Sequence, residues 1–252
     1  MTSLAGTTPF RDRLRLETLR GVFARQHPFV ALGLFALGAI VMQRHAVANL
    51  GTTTSGSGLG DSTQFMWAMW WWPHAILHGI NPFVTNAIWV PDAYNLGSVT
   101  STPLPALVLA PLTALAGPVH GPIVSYNVAN LLAPTIGAWF AYRLCLYLTR
   151  APAASILGGW LYGFSSYGLA PLQGHLQFVF TFAAPAIVLL TLQLHRGDIS
   201  RSRFVLLSAL TLACQALCGT EILFTASLMG VVTLPVAFCC VPREGRRGRS
   251  LR

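Results

Sequence analysis

Long apolar blocks bounded by short polar segments set the pattern of this chain. Apolar runs occupy about 28–43, 123–148, 153–172, 176–194, 204–219 and 222–241. Each approaches the ~20 residues an α-helix needs to cross a bilayer, the first being short. A seventh run at 103–118, PLPALVLAPLTALAGP, carries Pro103, Pro105, Pro111 and Pro118. Proline removes a backbone donor and bends a helix, so this run is expected to be a re-entrant or kinked half-span. Residues 44–102, between the first run and the seventh, are too many for a plain connector, and long ordered loops usually carry function. The pattern predicts an all-α fold. It is a polytopic transmembrane helix bundle of about six spans plus the re-entrant or kinked half-span, with juxtamembrane helices in a large first outer loop, 44–102.

Composition supports the membrane class. The 252 residues are 54% hydrophobic and 9% charged, against roughly 25% charged in soluble domains, and the mean hydropathy is +0.58. The net charge of +9 comes from sixteen basic residues, all of them arginine. Such a charge would suit nucleic acid. Here, however, the arginines gather at 11–25, at Arg143 and Arg150, at 196–203 and at 243–252, alternating with apolar runs; only Arg44 stands apart. That is the positive-inside pattern, so the expected partner is membrane lipid and no nucleic acid. The division is a cytoplasmic arginine-rich N-terminus at 1–27, a transmembrane domain at 28–241 and a cytoplasmic arginine-rich tail at 242–252. The polar start shows no small-residue cleavage site, so the first apolar run is expected to stay as an anchor. If 103–118 does not cross, every arginine-rich turn falls inside, and Asp61, His175 and Glu221 fall outside. The cysteines Cys145, Cys214, Cys218, Cys239 and Cys240 lie in apolar runs, and none has zinc-site spacing with histidine.

Three carboxylates lie outside the arginine-rich ends and turns: Asp61, Asp92 and Glu221. Charge held in such a chain is costly and needs a reason. Asp61 opens GDSTQFMWAMWWWPHAILHG, read as a helix start whose tryptophans Trp67, Trp70, Trp71 and Trp72 form an aromatic surface at the membrane interface. Pro73 then begins a second helical turn, HAILHG, ended by Gly79. Asp61 suits a general base or a metal ligand; equally, Asp61 and Gln64 have the spacing of an N-terminal cap with its reciprocal partner. His74 and His78, four apart, share one helix face. They suit donors to a phosphate or sugar hydroxyl, or simply polar residues beside tryptophans. Asp92, in WVPDAYNLG, reads as turn chemistry. Glu221 suits a cation or hydroxyl ligand, or a carboxylate at a helix N-terminus. His175, between Gln173 and Gln177 at a turn, suits a phosphate or sugar contact, or a structural histidine.

The order of these pieces resembles the GT-C superfamily of polytopic membrane glycosyltransferases. These take a sugar from a polyprenyl-phosphate donor on the extracytoplasmic side. The resemblance rests on the cytoplasmic start, one span, and a large outer loop opening with an acidic motif, here Gly60 to Ser62. HGINPF at His78 to Phe83 and WVPDAYNLG at Trp89 to Gly97 resemble loop segments of bacterial members. Ser101 to Pro118 resembles the proline-leucine segment that follows that loop, and Tyr162 to Gln177 a later outer turn. The match covers roughly 28–241. It implies an enzyme of the bacterial plasma membrane, with Asp61 as catalytic base. His175 and Glu221 match by position and side, and His74, His78 and Arg44 are further substrate-binding candidates. Many members carry two adjacent acids where Ser62 follows Asp61 here. Members are also longer, so the chain is expected to be an N-terminal part of such an enzyme.

The chemistry fits the residues without the family name. Inverting transfer to a hydroxyl needs one base near the acceptor, and a lipid-phosphate leaving group needs a cation or hydrogen-bond donors. Outer cations are scarce: Arg44, the histidines, or a divalent cation (Mg or Mn) held by Asp61 and Glu221. The rival class is non-enzymatic: a transporter or flippase half, or an assembly subunit. Transporters show repeats and helices broken at the midplane, and the sequence shows no clear repeat. A third reading is an inactive fragment. Sugar, acceptor and oligomeric state are not legible.

Overall fold

A computed structural model describes residues 27–56, 61–88 and 90–240. The expected arginine-rich segments at the two ends, Gly60 of the acidic motif and Trp89 lie outside the described residues. The fold is almost wholly helical. Helix α1 is His27–Met42. It is followed by α2 (Arg44–Ala48), α3 (Asp61–Leu77), a hairpin of β1 (Val84–Thr85) and β2 (Tyr94–Asn95), α4 (Pro103–Val108) and α5 (Ala110–Thr149). Then come α6 (Pro152–Gly163), α7 (Ser166–Leu169), α8 (Leu176–Val179), α9 (Ala183–Arg196), α10 (Arg201–Cys218) and α11 (Thr220–Cys240). Among the described residues, three stretches are long and apolar enough to cross a membrane: Ala110–Thr149, Leu176–Arg196 and Arg201–Cys218. His27–Met42 and Thr220–Thr233 are shorter apolar helices.

Helix α5 is the axis of the bundle. Gly117 (φ 84, ψ 172) interrupts it, and the arm before Gly117 folds back on the helix after it. Thr113 Oγ1 lies 2.7 Å from Ser125 Oγ. The approach at Gly121 is so close that a Cβ there would stand 2.0 Å from the Thr113 carbonyl oxygen. The proline-rich run 103–118 is therefore a doubled-back arm, not one straight helix. Helix α1 lies antiparallel to α5: His27 Nδ1 meets Tyr142 OH at 2.5 Å near one end, and Gln43 Nε2 donates to the Asn130 carbonyl at 2.9 Å near the other. Helix α6 packs against α5 without side chains at Gly159 and Gly163, where a Cβ would come within 2.6 Å of the carbonyl oxygens of Ala138 and Pro134 respectively.

Three expectations are corrected. Pro73 does not begin a second helical turn; α3 runs through it. The helix ends on Gly79, as the sequence leads one to expect, in a Schellman motif with Ile80 N donating to Ala75 O at 2.8 Å and Gly79 N to Ile76 O at 3.2 Å. Packing decides this, because Trp71, Trp72 and Ala75 are buried on either side of the proline. The same burial removes the picture of α3 as an aromatic surface. Phe65, Ala68, Met69 and Trp72 belong to the main core with Tyr126, Ala129, Leu176 and Val179, while Trp67 and Trp70 stay half-buried. The apolar run 153–172 is also not one helix. Ser165 accepts from Gly168 N at 3.1 Å and starts a new short helix, so α6 is about 18 Å long against the ~30 Å hydrocarbon core of a bilayer.

Between α8 and α9 the helix is broken at Phe180–Phe182, and side chains take up the freed carbonyls. Gln215 Nε2 donates to Phe180 O at 2.7 Å, and Tyr162 OH donates to Thr181 O at 2.8 Å. Backbone groups in an apolar setting must find partners inside the protein.

Candidate functional site

The bundle has two chemically unlike ends. At one, Arg143 lies over the Trp139 ring at 5.8 Å and Arg196 over the Tyr147 ring at 4.7 Å. Tyr147 OH donates to Asp198 Oδ2 at 2.5 Å, and Arg201 begins α10 behind its cap Ser200. The acids and histidines singled out from the sequence are carried by segments at the other end.

That end is built on one buried amide. Asn127, 1% exposed in the middle of α5, accepts from Ser55 N at 2.9 Å. It donates to Leu50 O at 2.8 Å and to Thr53 O at 2.7 Å. Ser55 Oγ in turn donates to Gln43 Oε1 at 2.6 Å, and His120 Nδ1 meets Gly51 O at 2.9 Å. Segment 49–56 is thus laced down onto α5. Its last residue, Gly56 (φ +86), abuts the next segment so closely that a Cβ would lie 2.6 Å from the Gln173 carbonyl carbon. A positive φ with no room for a side chain leaves only glycine.

These walls enclose a cleft of about 650 Å³ whose lining includes Gln43, Arg44, His45, Thr54, Ser55 and Gln173. Arg44 begins α2 and so brings its cation to the cleft. The lining segment 169–173 continues into Gly174 (φ +142), where a Cβ would stand 2.9 Å from Ser62 Oγ. That close approach sets the start of α3 against the turn before α8. Asp61 Oδ2 and His175 Nδ1 meet across it at 2.9 Å, each side chain about 51% exposed.

Glu221 joins the same network by another route. Gln64, one turn along α3 from Asp61, donates its amide to Thr100 O at 2.8 Å, and the Thr100 hydroxyl donates to Glu221 Oε1. Thr220 adds a contact to Glu221 Oε2 at 3.4 Å. Glu221 lines a different cavity, of about 460 Å³, with Trp72, Phe83, Ser98 and Thr100. Asp61 and Glu221 are therefore linked through protein but hold different partners. Among the described residues, no three His, Cys, Asp or Glu side chains gather as a metal site. Asp61 faces His175 and Glu221 faces Thr100.

The remaining candidates lie elsewhere. His74 and His78 stack in sequence with Trp70, at 4.6 Å and then 4.2 Å between ring centroids. Both line a third cavity, beside the folded-back arm. Asp92 falls in the connection between β1 and β2. Sequence reading missed Gln43, Ser55, Thr100 and Asn127. A signal was present for one of them, since Asn127 and Asn130 are amides in an otherwise apolar run, where polar side chains need a partner.

Asp61 and His175 meet with each side chain about half exposed, two residues along the chain from Gln173, which lines the polar cleft that holds Arg44. Such an arrangement suits accepting a proton from a hydroxyl and steadying an anion nearby. Compared with known proteins, the chain matches no family model, no curated protein and no solved structure.

Proposed function

We propose that this chain is a GT-C type membrane glycosyltransferase. It transfers a sugar from a polyprenyl-phosphate donor to an extracytoplasmic acceptor at a bacterial plasma membrane. Six passes (α1, the long part of α5, α6 with the turns after it, α8–α9, α10 and α11) and one doubled-back arm make up its bundle. The arginine-bearing turns face the cytoplasm. The observation that carries the reading is the Asp61–His175 pair at 2.9 Å, set beside the Arg44 cleft through the shared segment 172–175.

In this mechanism His175 orients the Asp61 carboxylate through Oδ2. The other carboxylate oxygen accepts the proton of the acceptor hydroxyl as the hydroxyl oxygen attacks the sugar's anomeric carbon. The bond to the lipid phosphate breaks on the opposite face, with inversion. The departing phosphate gains negative charge, which Arg44 and the hydroxyl of Thr54 stabilise. Glu221, fixed by Thr100, holds substrate hydroxyls rather than the proton.

The test supplies membranes containing the full chain with a panel of radiolabelled polyprenyl-phosphate sugars. One donor is expected to release its lipid phosphate, and Asp61→Asn is expected to lower the rate on the order of 10²–10⁴-fold. The pair is half-exposed and adds at most about 1 kcal/mol to stability, so the variant should still fold and insert. Near-normal turnover in Asp61→Asn would remove Asp61 from the catalytic role and leave it a first-turn residue of α3. No release from any donor would favour the non-enzymatic alternative, a transporter or flippase half. One feature favours that alternative: the broken helix at Phe180–Phe182, since transporters bind cargo at such breaks. Against it, Gln215 and Tyr162 already occupy the carbonyls of Phe180 and Thr181.

A further inference from the structure

The cavity beside the folded-back arm has no role in the reading above. It measures about 590 Å³, within the ~300–1,000 Å³ usual for small-molecule sites. One wall is the column of Trp70, His74 and His78 on α3; the other is the arm, including Leu107, Pro111 and Ala114. Helix rise places His74 about 20 Å along α3 from Asp61, so a molecule held here does not react at Asp61.

Its chemistry is divided. The arm side is mostly hydrocarbon, including Leu107, Ala110, Pro111, Ala114 and Pro118. The polar groups are two imidazoles, the Trp70 indole and Thr113, whose hydroxyl is held by Leu109 O and Ser125, and no acidic side chain lines the cavity. The imidazoles are held in place: His74 stacks on Trp70 with an interplanar angle of 20°, and His78 Nδ1 is tied to the His74 carbonyl at 2.8 Å. That bond makes Nδ1 the proton-bearing nitrogen and leaves Nε2 of His78 to face a ligand. The rim is apolar and bare, with Leu77 81%, Leu115 86% and Val119 71% exposed. A rim of that kind is covered by hydrocarbon when the chain sits in a bilayer.

We propose that this cavity binds one acyl chain of an anionic phospholipid, with the phosphate at His74 and His78. The apolar arm takes the chain. Imidazoles with no acid beside them suit a phosphate, to which they donate when protonated. The phospholipid braces the arm against α3, at a distance from the cleft that holds Arg44.

The experiment uses the full chain in phosphatidylglycerol vesicles containing a phosphatidylglycerol analogue with a diazirine in its acyl chain. After illumination, adducts are mapped by mass spectrometry. Labelling of 73–78 and 107–118 is expected to exceed that of the exposed α11 positions Phe224 and Val232 about tenfold, equivalent to ~1.4 kcal/mol. Ala114→Trp, which fills the cavity from its exposed side, is expected to abolish the excess. Leu107→Trp fills it from another position and serves if the first variant does not fold. The double variant His74→Ala, His78→Ala is expected to keep the apolar labelling but lose the preference over a diazirine-bearing diacylglycerol. Labelling no greater than on α11 would overturn the proposal. So would an excess unaffected by both tryptophan variants, a head-group preference that survives loss of both histidines, or displacement by polyprenyl phosphate but not by phosphatidylglycerol.

Discussion

Replacing Asn127 with leucine should release segment 49–56 while leaving the bundle intact. Leucine keeps the branch and the number of side-chain heavy atoms, so the main loss at this site is polar. Three backbone groups lose their partner: Ser55 N–H, Leu50 C=O and Thr53 C=O. Ser55 is 5% exposed, and an unsatisfied buried donor costs about 1–3 kcal/mol. Leu50 and Thr53 reach water more readily, so each carbonyl contributes about 0.5 kcal/mol, the low end of a net hydrogen bond. The sum is about 2–4 kcal/mol of docking free energy, or roughly 30- to 1,000-fold more frequent opening at 1.4 kcal/mol per decade. Hydrogen exchange read by mass spectrometry on peptides covering 49–56 measures that opening directly. Peptides from 134–142 and 156–163, at the glycine-mediated contact of α5 and α6, should exchange as before. Unchanged protection at 49–56 would refute the claim that one amide holds this loop. Faster exchange everywhere would show instead that Asn127 stabilises the whole bundle. Because this loop forms a wall of the Arg44 cleft, any turnover of a polyprenyl-phosphate sugar should fall with it.

Further predictions follow from the two ends of the bundle and from its glycines. In a background lacking Cys145, Cys214, Cys218, Cys239 and Cys240, a membrane-impermeant maleimide added to intact cells should label Thr52→Cys and not Arg201→Cys; labelling of the latter would overturn the proposed sidedness. Gly159→Val would force side-chain atoms into a space where a Cβ already meets Phe35 Cζ at 2.6 Å and Tyr142 Cβ at 2.9 Å. Overpacking of this kind costs about 1–3 kcal/mol or more, and thermal unfolding in detergent should show a clearly lowered midpoint. Gln215→Leu removes the bond to Phe180 O but also a side-chain oxygen that is buried without a partner among the described residues. These terms oppose each other, so stability should change by less than about 1.5 kcal/mol, measured by the same melt.

Composition and block pattern alone determined the helical, membrane-compatible class. With 9% charged residues, these stretches have little with which to face water, and hydrogen bonding within a helix satisfies the backbone without neighbours. Local sequence also fixed the helix stop at Gly79, because a left-handed glycine ends a helix whatever surrounds it. The sequence could place Asp61, His175 and Glu221 on one side only by the parity of arginine clusters, which says nothing of distance. Tertiary structure decided that Asp61 meets His175 while Glu221 goes to Thr100. It also decided that α3 runs through Pro73 and that Trp71 and Trp72 lie in the core. Each of these depends on atoms far apart in the chain: Gly174 admitting Ser62, Gly56 admitting Gln173, and Asn127 serving carbonyls more than seventy residues away. Periodicity reports which face of a helix is apolar. It does not report whether lipid or another helix covers that face, since both are hydrocarbon.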